Sequence, residues 1–588
     1  MAPIPTSAMS SNDKHKNRNT KPQYSKVPTD EDSEERQGLL SDDAHAVNAD
    51  LESNERRLEA ERFSRYFAYG LWGHEDPRDR KNGGSKEYHR SGDDDEEDDR
   101  QGWSRKKIVY TAAGMIALLV GATMTNCVAS VWGIGRRPEG HSSSTGSGMA
   151  KGFSGDMLRS NGTHDFKRTV VLVSIDGLRA DYLDRGLTPH LLDISKKGLR
   201  AKSMRPIFPT LTFPNHWALM TGLYAESHGI VANNFWDPTT KEEFHYNQVA
   251  SCWKPEWWLG EPMWESAEKA GITTANLMWV GPPKTMSGTS PTYFVPWKDK
   301  VPLDEKLDQI TKWIDMPLED RPQLILMYEP SLDQAGHSTG PYSRRVNETL
   351  LKVDAFAKDL HNAMEARHLG SIVDIIFVSD HGMADTSHPE PIYMDDILGP
   401  EGLAAIEHED GWPSMGIRFA PNANAAQYLE TLTRASKTKE HKGKFHVYTH
   451  ETMPKRWHFA NNKRIAPIYV VPELGYILTT RKEGNVGMSK GNHGYDNKEP
   501  SMHAMFVAHG PFSHEAKAQV QAHTRRSMGT GRRPNGKCEG WHSTSDDAYI
   551  MDTFQNVEIY NLVMKLLGTE SKYTAPNNGT AGFWDKYL

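Results

Sequence analysis

From Arg168 onward, short apolar runs alternate with helical patterns, and this alternation constrains the fold more than any other feature. The runs that predict strands cover residues 169–175, 273–277, 323–328, 372–378, 476–480 and 502–508. The helical patterns cover residues 189–197, 264–270, 303–314, 343–367 and 553–567. Continuous β-branched runs between helices favour a mostly parallel sheet that is covered on both faces. We therefore expect an α/β fold.

Acidic and imidazole side chains follow three of the predicted strands. They are Asp176 after 169–175, Asp333 and His337 after 323–328, and Asp380 and His381 after 372–378. Because parallel strands end at the same edge of a sheet, these side chains should converge there. Aspartate oxygen and histidine nitrogen are the ligands expected for catalytic zinc. His493 adds a further imidazole between small residues that allow a close backbone approach, so the pattern indicates a dinuclear metal site.

A structural interpretation of the same residues is open at this stage. An Asp at a strand end is often a turn or helix cap. The chain has 26 His, so some Asp/His proximity is expected by chance. We assign no role to His216, His228, His388 or His503.

An uncharged apolar run covers residues 108–134 and has basic residues on both sides. A hydrocarbon core of about 30 Å requires about 20 helical residues, which this run supplies. We therefore expect a transmembrane helix, with its basic flanks, over residues 105–137. A buried core helix, the alternative, fits poorly between a polar tail and a Ser/Gly-rich linker at 138–164.

The remaining regions are a tail at 1–104 and a catalytic domain at 165–588. The tail is poor in aliphatic residues and contains an acidic run, which predicts disorder. Three N-glycosylation sequons, at Asn161, Asn347 and Asn578, all lie after the apolar run. They favour a single-pass type II topology. The tail is then cytosolic, and the domain faces the lumen or the outside at a vacuolar, endosomal or plasma membrane.

Composition excludes some functions and leaves one question open. A net charge of −8 and a pI near 6.4 give no basic footprint, so we expect no nucleic-acid-binding module. Three Cys are too few for a disulfide scaffold. Cys127 lies in the apolar run, and Cys252 and Cys538 either pair or remain thiols.

Six segments together resemble the nucleotide pyrophosphatase/phosphodiesterase family of the alkaline phosphatase superfamily. They are VSIDG at 173–177, PTLTFPNH at 209–216, TGLYAESHG at 221–229, EPSLDQAGH at 329–337, SDHGM at 379–383 and GNHG at 491–494. They occur in family order between about Thr169 and Leu567. The resemblance implies an alkaline-phosphatase-like sheet and a hydrolase of nucleotide phosphate bonds.

The resemblance also implies roles for particular residues. One Zn²⁺ would be held by Asp333, His337 and His493, and a second by Asp176, Asp380, His381 and the nucleophile Thr212. Asn233 matches a donor to a phosphate oxygen, and Phe213 matches a residue that packs on the nucleobase. Trp297 aligns with a Tyr that stacks on the other face of the base, and Tyr328 is a nearby aromatic residue.

The implied reaction converts nucleoside triphosphates or dinucleotides to a 5′-nucleoside monophosphate through a phospho-threonine intermediate. Two departures from the family pattern put the substrate in question: an insertion near 516–544 and the absence of the small Cys-rich and nuclease-like modules. One alternative is a lipid-headgroup phosphodiesterase. An alternative of another class is an inactive membrane-anchored binding protein, which would have lost a ligand or the nucleophile.

Overall fold

The computed structural model of the chain describes residues 158–484, 489–516, 518, 541–543, 549–569 and 571–588. The predicted tail, the predicted membrane span, most of the linker, most of the insertion and Cys538 lie outside these residues. Within the described ranges, no helix combines the length and apolarity needed to cross a bilayer. The span at 108–134 therefore stays a prediction.

A nine-stranded sheet forms the centre of the described structure. The strands of three or more residues are β1 (Thr169–Ile175), β2 (Leu199–Ala201), β3 (Asn234–Asp237), β4 (Glu242–His245), β5 (Thr274–Leu277), β6 (Tyr293–Val295), β7 (Leu324–Glu329), β8 (Val373–Val378), β9 (Glu390–Tyr393), β10 (Ile406–Asp410), β11 (Met415–Phe419), β12 (Phe445–Tyr448), β13 (Ile468–Pro472), β14 (Tyr476–Thr479), β15 (Phe506–His509), β16 (Trp541–Ser543) and β17 (Tyr549–Met551). Nine of these described strands pair in the order β16-β17-β2-β15-β8-β1-β7-β5-β6.

The predicted parallel arrangement is confirmed for the middle of this sheet. Strands β8, β1, β7, β5 and β6 are parallel neighbours, and β15 runs antiparallel between β8 and β2. Every residue of β1, β7 and β8 is buried. Successive β1 residues such as Val170 and Val171 enter hydrophobic cores on opposite faces, because side chains alternate along a strand.

Helices cover both faces of the sheet. Those of seven or more residues are α1 (Pro189–Lys197), α2 (Thr212–Thr221), α3 (Met263–Lys269), α4 (Leu303–Ile314), α5 (Ser331–Thr339), α6 (Arg344–Glu365), α7 (Met394–Ala404), α8 (Ala425–Ala435) and α9 (Glu558–Leu567). Each predicted helix occurs, although the one predicted over 553–567 begins only at Glu558. The predicted strand at 476–480 forms β14, but it pairs with β9 outside the main sheet.

A second sheet, which the sequence patterns did not predict, lies in the region between β9 and β14. Strands β10, β11, β13 and β12 pair antiparallel in that order around a separate core that includes Ile417, Leu432 and Val470. Its strands are four or five residues long, and several positions are only partly buried. Such short runs carry little periodicity, which explains why they were missed.

A buried ion pair supports the end of β7, next to the predicted site. Lys306 of α4 is 1% exposed, and its Nζ donates to Glu329 Oε2 at 2.6 Å and to the Tyr328 carbonyl at 3.0 Å. The other carboxylate oxygen of Glu329 accepts the backbone N–H of Ser331, the first residue of α5. The pair therefore connects strand, helix and the loop between them.

Lys306→Met is expected to lower the free energy of unfolding by about 3–5 kcal/mol, because it leaves the Glu329 carboxylate buried without a counter-charge. Chemical denaturation would measure the loss. The double variant Lys306→Met/Glu329→Gln should recover part of it. Lys254→Met, which removes an exposed pair with Glu242, should change little. Equal effects of the two lysine variants would contradict the role assigned to burial.

Candidate active site

The ligand types predicted at the strand ends meet at one edge of the main sheet. Asp176 follows β1, Asp380 follows β8, and Asp333 lies in α5 just beyond β7. Gly177 has φ +69°, and a Cβ there would lie 3.1 Å from the Cα of Asp333. Only glycine adopts this conformation without strain, so Gly177 allows the β1 turn to approach α5.

Asp333, His337 and His493 form the first group of candidate metal ligands. The Nε2 atoms of His337 and His493 are 3.0 Å apart, and each lies 3.5 Å from a carboxylate oxygen of Asp333. One ligand atom from each residue lies within 4.8 Å of the others. A Cβ on Gly491 would lie 2.5 Å from the Gly336 carbonyl oxygen, so the predicted close backbone approach is present.

Asp176, Asp380 and His381 form the second group, together with Thr212 at the start of α2. The His381 Nε2 lies 3.3 Å from Asp176 Oδ1, 3.1 Å from Asp380 Oδ2 and 3.1 Å from the Thr212 hydroxyl. Asp333 also lies within ligand distance of Asp176 and His381. The two groups are therefore adjacent, and the His381 and His493 rings stack at 3.6 Å.

Backbone carbonyls orient the three imidazoles. The Nδ1–H groups of His337, His381 and His493 donate to the carbonyls of Gly491, Gly382 and Thr210, at 2.8–2.9 Å. A carbonyl oxygen can only accept, so Nδ1 carries the proton and Nε2 presents its lone pair to the cluster. Metal-binding histidines usually donate their other ring N–H to a carbonyl or carboxylate in this way, which fixes the ring orientation. The Nε2 lone pairs of His337 and His493, 3.0 Å apart, repel each other, and a cation bound by both nitrogens would remove this repulsion.

The carboxylates also fit cations. Asp176 Oδ1, Asp333 Oδ1 and Asp380 Oδ2 are buried, and none has a hydrogen-bond donor among the described residues. Native structures seldom leave buried polar atoms without a partner. The donor set of carboxylate oxygen and imidazole nitrogen matches a divalent transition metal, so these residues fit the metals implied by the sequence.

The pKa shifts reflect the same crowding of charge. Burial, followed by the charges of Asp380 and Asp333, raises the pKa of Asp176 well above its ordinary value. Burial also raises the pKa of Asp333. Burial acts in the same direction on Asp380, but the imidazoles of His381 and His216 outweigh it and hold the pKa of that carboxyl well below its ordinary value.

The N-terminus of α2 places Thr212 and Asn233 side by side. The Phe213 N–H, one residue after Thr212, donates to Asn233 Oδ1 at 3.0 Å, so the Asn233 Nδ2–H₂ group is not used in this bond. Backbone N–H groups at the start of a helix can bind a phosphate. The Phe213 N–H already donates to Asn233, and Pro214 has no N–H. The Thr212 N–H is therefore the backbone donor of this turn that could bind a phosphate oxygen.

An aromatic wall lies beside Thr212. The half-buried Phe213 ring contacts Phe244, Tyr246 and Trp258, with ring centroids 5.4–6.0 Å apart. Tyr246 was not predicted from the sequence; burial and the charge of Asp333 raise the pKa of its hydroxyl. Trp297, 42% exposed, lies between β6 and α4. Its stacking role stays a prediction.

Two further residues lie against the carboxylates. His216, to which no role was assigned from the sequence, is fully buried. Its Nδ1–H donates to the Thr212 carbonyl at 2.9 Å and lies 3.3 Å from Asp380 Oδ2, and its Nε2 contacts Ser174 Oγ at 2.9 Å. His216 lies four residues after Thr212 on one helix, and this spacing could have indicated from the sequence that it lies in the site. The Tyr328 hydroxyl donates to Asp176 Oδ2. Tyr328 therefore orients a carboxylate, a position that differs from the substrate contact predicted for it.

The other singled-out residues lie elsewhere. His388 is exposed, His503 contacts Ser203, and burial lowers the pKa of His228 to about 3. Cys252 is a buried thiol whose pKa is raised by burial to about 11. Of the three sequon asparagines, Asn578 is exposed, whereas Asn161 and Asn347 are half-buried.

Known proteins share this sequence and fold. The family model "Type I phosphodiesterase / nucleotide pyrophosphatase" matches residues 170–496. An uncharacterized pyrophosphatase/phosphodiesterase of Schizosaccharomyces pombe is 37% identical over 71% of this chain and 80% of its own length. Human ectonucleotide pyrophosphatase/phosphodiesterase family member 1 is 32% identical over 70% of this chain, which spans 41% of that relative.

A solved structure agrees with the fold. Murine ectonucleotide pyrophosphatase/phosphodiesterase 5, as an inactive variant in complex with AMP, superposes with a TM-score of 0.60 at 27% identity. The match covers 72% of this chain and all of that one. Since the family model matches more than half of the chain, the protein belongs to the type I phosphodiesterase/nucleotide pyrophosphatase family of the alkaline phosphatase superfamily.

Proposed function

We propose that the chain hydrolyses pyrophosphate and phosphodiester bonds of nucleotides and releases a 5′-nucleoside monophosphate. The observation that carries this proposal is the position of the Thr212 hydroxyl. It lies at a helix N-terminus, 3.1 Å from His381 and beside two adjacent groups of Asp and His ligands. Membership of the family supports the reaction class.

Two Zn²⁺ ions are the proposed cofactors. Asp333, His337 and His493 would hold one, and Asp176, Asp380, His381 and the Thr212 hydroxyl would hold the other. Mixed imidazole and carboxylate ligands suit zinc, whereas Ca²⁺ and Mg²⁺ prefer oxygen ligands alone. When bound, two such cations would supply positive charge opposite the phosphate oxygens and activate a hydroxyl or a water.

The residues of the chain then carry out two displacements. The Thr212 hydroxyl gives up its proton to solvent, and Oγ1 attacks phosphorus as the leaving oxygen departs with the electron pair of its bond to phosphorus, which gives a phosphate ester on Thr212. A water molecule then loses a proton to solvent and its oxygen attacks the same phosphorus, the bond to Oγ1 breaks, and Oγ1 takes up a proton from solvent. The Asn233 Nδ2–H₂ group and the Thr212 N–H donate to the non-bridging oxygens, where negative charge develops. The N-terminal end of α2 favours the same charge.

A nucleotide is the proposed substrate because an aromatic wall borders the nucleophile. Phe213, supported by Tyr246 and Trp258, offers a ring on which a base can stack. Trp297 is the proposed second stacking residue. The AMP complex of the murine neighbour supports this substrate class. The second candidate, a lipid-headgroup phosphodiester, could use the same apolar surface and is distinguished by experiment.

The full-length protein, purified in detergent, is expected to cleave the nitrophenyl ester of thymidine 5′-monophosphate about 100-fold faster than nitrophenyl phosphorylcholine, because the flat base stacks on the Phe213 ring whereas the choline headgroup has no flat face to stack. Nitrophenyl phosphate tests for monoesterase activity and should be the poorest substrate. A chelator should abolish cleavage, and zinc should restore it. Preference for the choline diester would favour the lipid-headgroup function, and inactivity of the folded, zinc-loaded protein would favour a binding role.

We further propose a single-pass type II membrane protein with residues 1–104 in the cytosol and the domain in the lumen or outside. The exposed position of Asn578 is compatible with glycosylation on that side. In intact microsomes, the glycosidase-sensitive mass of the full chain should be smaller in the Asn578→Gln variant than in the wild type. Added protease should remove the tail and leave the domain intact. Protection of the tail together with an unglycosylated domain would reverse this topology.

A further inference from the structure

A second group of histidines lies at the edge of the main sheet opposite the catalytic cluster. His361 and Glu365 lie one turn apart at the C-terminal end of α6, and His509 is the last residue of β15. His509 pairs with Ile375 near the start of β8, whereas Asp380 follows the end of the same strand. The strand therefore separates the two groups, and they share no residue.

The three side chains point at one another. One ligand atom of each lies within 4.8 Å of the others, and His361 Nε2 is 3.9 Å from Glu365 Oε1. The rings of His361 and His509 meet edge to face with their centroids 4.6 Å apart. A helical spacing of four residues brings His361 and Glu365 to the same face, which the strand end completes.

Two further observations indicate a ligand here. The Nε2 of His361 is buried, in a residue only 5% exposed, and it has no hydrogen-bond partner within the described part of the chain. The carboxylate of Glu365 lies against the backbone of Gly370, where a Cβ would come within 2.1 Å of Oε1. The glycine therefore allows this carboxylate to fold back over the helix end while its outer side faces solvent.

We propose that His361, Glu365 and His509 form a third metal site, which takes a divalent transition metal such as Zn²⁺. Two imidazoles and one carboxylate are a zinc-type donor set, and the exposed side of Glu365 leaves a fourth position for water. Tetrahedral zinc places ligand atoms about 3.3 Å apart, so the side chains need to close by roughly 0.5–1.5 Å. The positive charge of Lys197, which acts on His361, is offset by Asp193 at 2.9 Å.

A metal at this site would join the end of α6 to the end of β15. Metals that bind only the folded chain stabilise it by mass action. The site would therefore act on stability rather than on the reaction, because it lies at the edge of the sheet away from Thr212. This inference does not rest on the proposed nucleotide substrate or on the mechanism.

The number of Zn²⁺ ions bound per chain is measured in the full-length protein. The protein is first treated with chelator, then re-equilibrated with micromolar zinc and freed of unbound metal. Glu365→Ala, at an exposed position that folding should tolerate, is expected to bind about one Zn²⁺ per chain less than the wild type. The loss of one of three ligands should weaken the site by more than the roughly 10–100-fold that loss of a residue orienting a ligand costs, so the zinc should be lost when free metal is removed. His361→Gln should give the same deficit. Cleavage of the thymidine diester should stay within about twofold, and the rise in Tm on zinc addition should shrink.

His446→Ala is the matched control. His446 also pairs with a carboxylate, Glu473 at 2.7 Å, but on an exposed surface and in no three-ligand group among the described residues. It should leave zinc content and the Tm response unchanged. Equal zinc content in the wild type, Glu365→Ala and His361→Gln would overturn the proposal, as would an equal deficit in His446→Ala. A deficit with diesterase activity absent in every protein would support this site while contradicting the proposed function.

Discussion

Thr212→Ala is expected to lower kcat/KM for the thymidine diester by about 10⁴-fold or more, because it removes the oxygen that we propose as the nucleophile. The hydroxyl lies at the start of α2, 3.1 Å from the Nε2 of His381 in the second ligand group, and within the described part of the chain no other side-chain hydroxyl is hydrogen-bonded to that nitrogen. The helix itself should tolerate alanine, since Asn233 continues to accept the Phe213 N–H.

The matched variant is Thr212→Ser, which keeps the hydroxyl and should retain activity within about tenfold. Folding and zinc content should be the same in wild type, alanine and serine forms, and AMP should bind all three. Acid quenching during turnover should trap radioactive phosphate ester on the wild type and on the serine variant only. An alanine variant with more than a few per cent of wild-type activity would exclude Thr212 as the nucleophile.

Asp380→Asn is expected to lower kcat/KM by about 10³-fold and to lower the zinc content by about one ion per chain. Its Oδ1 accepts the N–H groups of Gly177 and His381, an arrangement that the asparagine oxygen can keep. The other oxygen, buried without a donor and 3.1 Å from His381 Nε2, would become an NH₂ group that cannot coordinate a metal. Metal analysis and steady-state kinetics on the same preparation would measure both losses.

Asp374→Asn is the control for that variant. Asp374 is a buried carboxyl within β8, the strand that Asp380 follows, and its Oδ1 accepts the Phe512 N–H at 2.8 Å. An asparagine oxygen can accept the same bond, and the residue lies toward the other end of the strand. Its zinc content and kinetics should match the wild type. If both variants lost metal equally, the deficit would reflect damage to β8 rather than loss of a ligand.

The central strands and the candidate metal ligands were predictable for the same physical reason. Strands β1, β7 and β8 are buried on both faces, so their sequences are continuous apolar runs that end abruptly. The residues that follow must lie at the carboxyl edge of a parallel sheet. The residues that directly follow these strands are therefore predicted to lie close together in space. The structure confirms that Asp176, Asp333 and Asp380 meet at this edge of the sheet.

The second sheet and the supporting contacts were not predictable in this way. His216 reaches Ser174 across 42 residues, and Tyr328 reaches Asp176 across 152. No periodicity or motif within a segment encodes which distant partner a polar side chain meets. The same limit applies to Tyr246 beside Phe213 and to the His361 and His509 pair, whose members lie on a helix and a strand far apart in the chain.

Local sequence was therefore enough to predict the strands at the centre of the domain and the chemical groups that follow them, because burial and strand direction act within a few residues. How those groups face each other became visible in the folded domain alone. It set the 3.0 Å between the two Nε2 atoms of His337 and His493, the use of the Phe213 N–H by Asn233, and the hydroxyl of Tyr328 on Asp176. These distances result from packing between segments that are remote in sequence. Local sequence patterns do not specify how such segments pack, so they do not specify these distances.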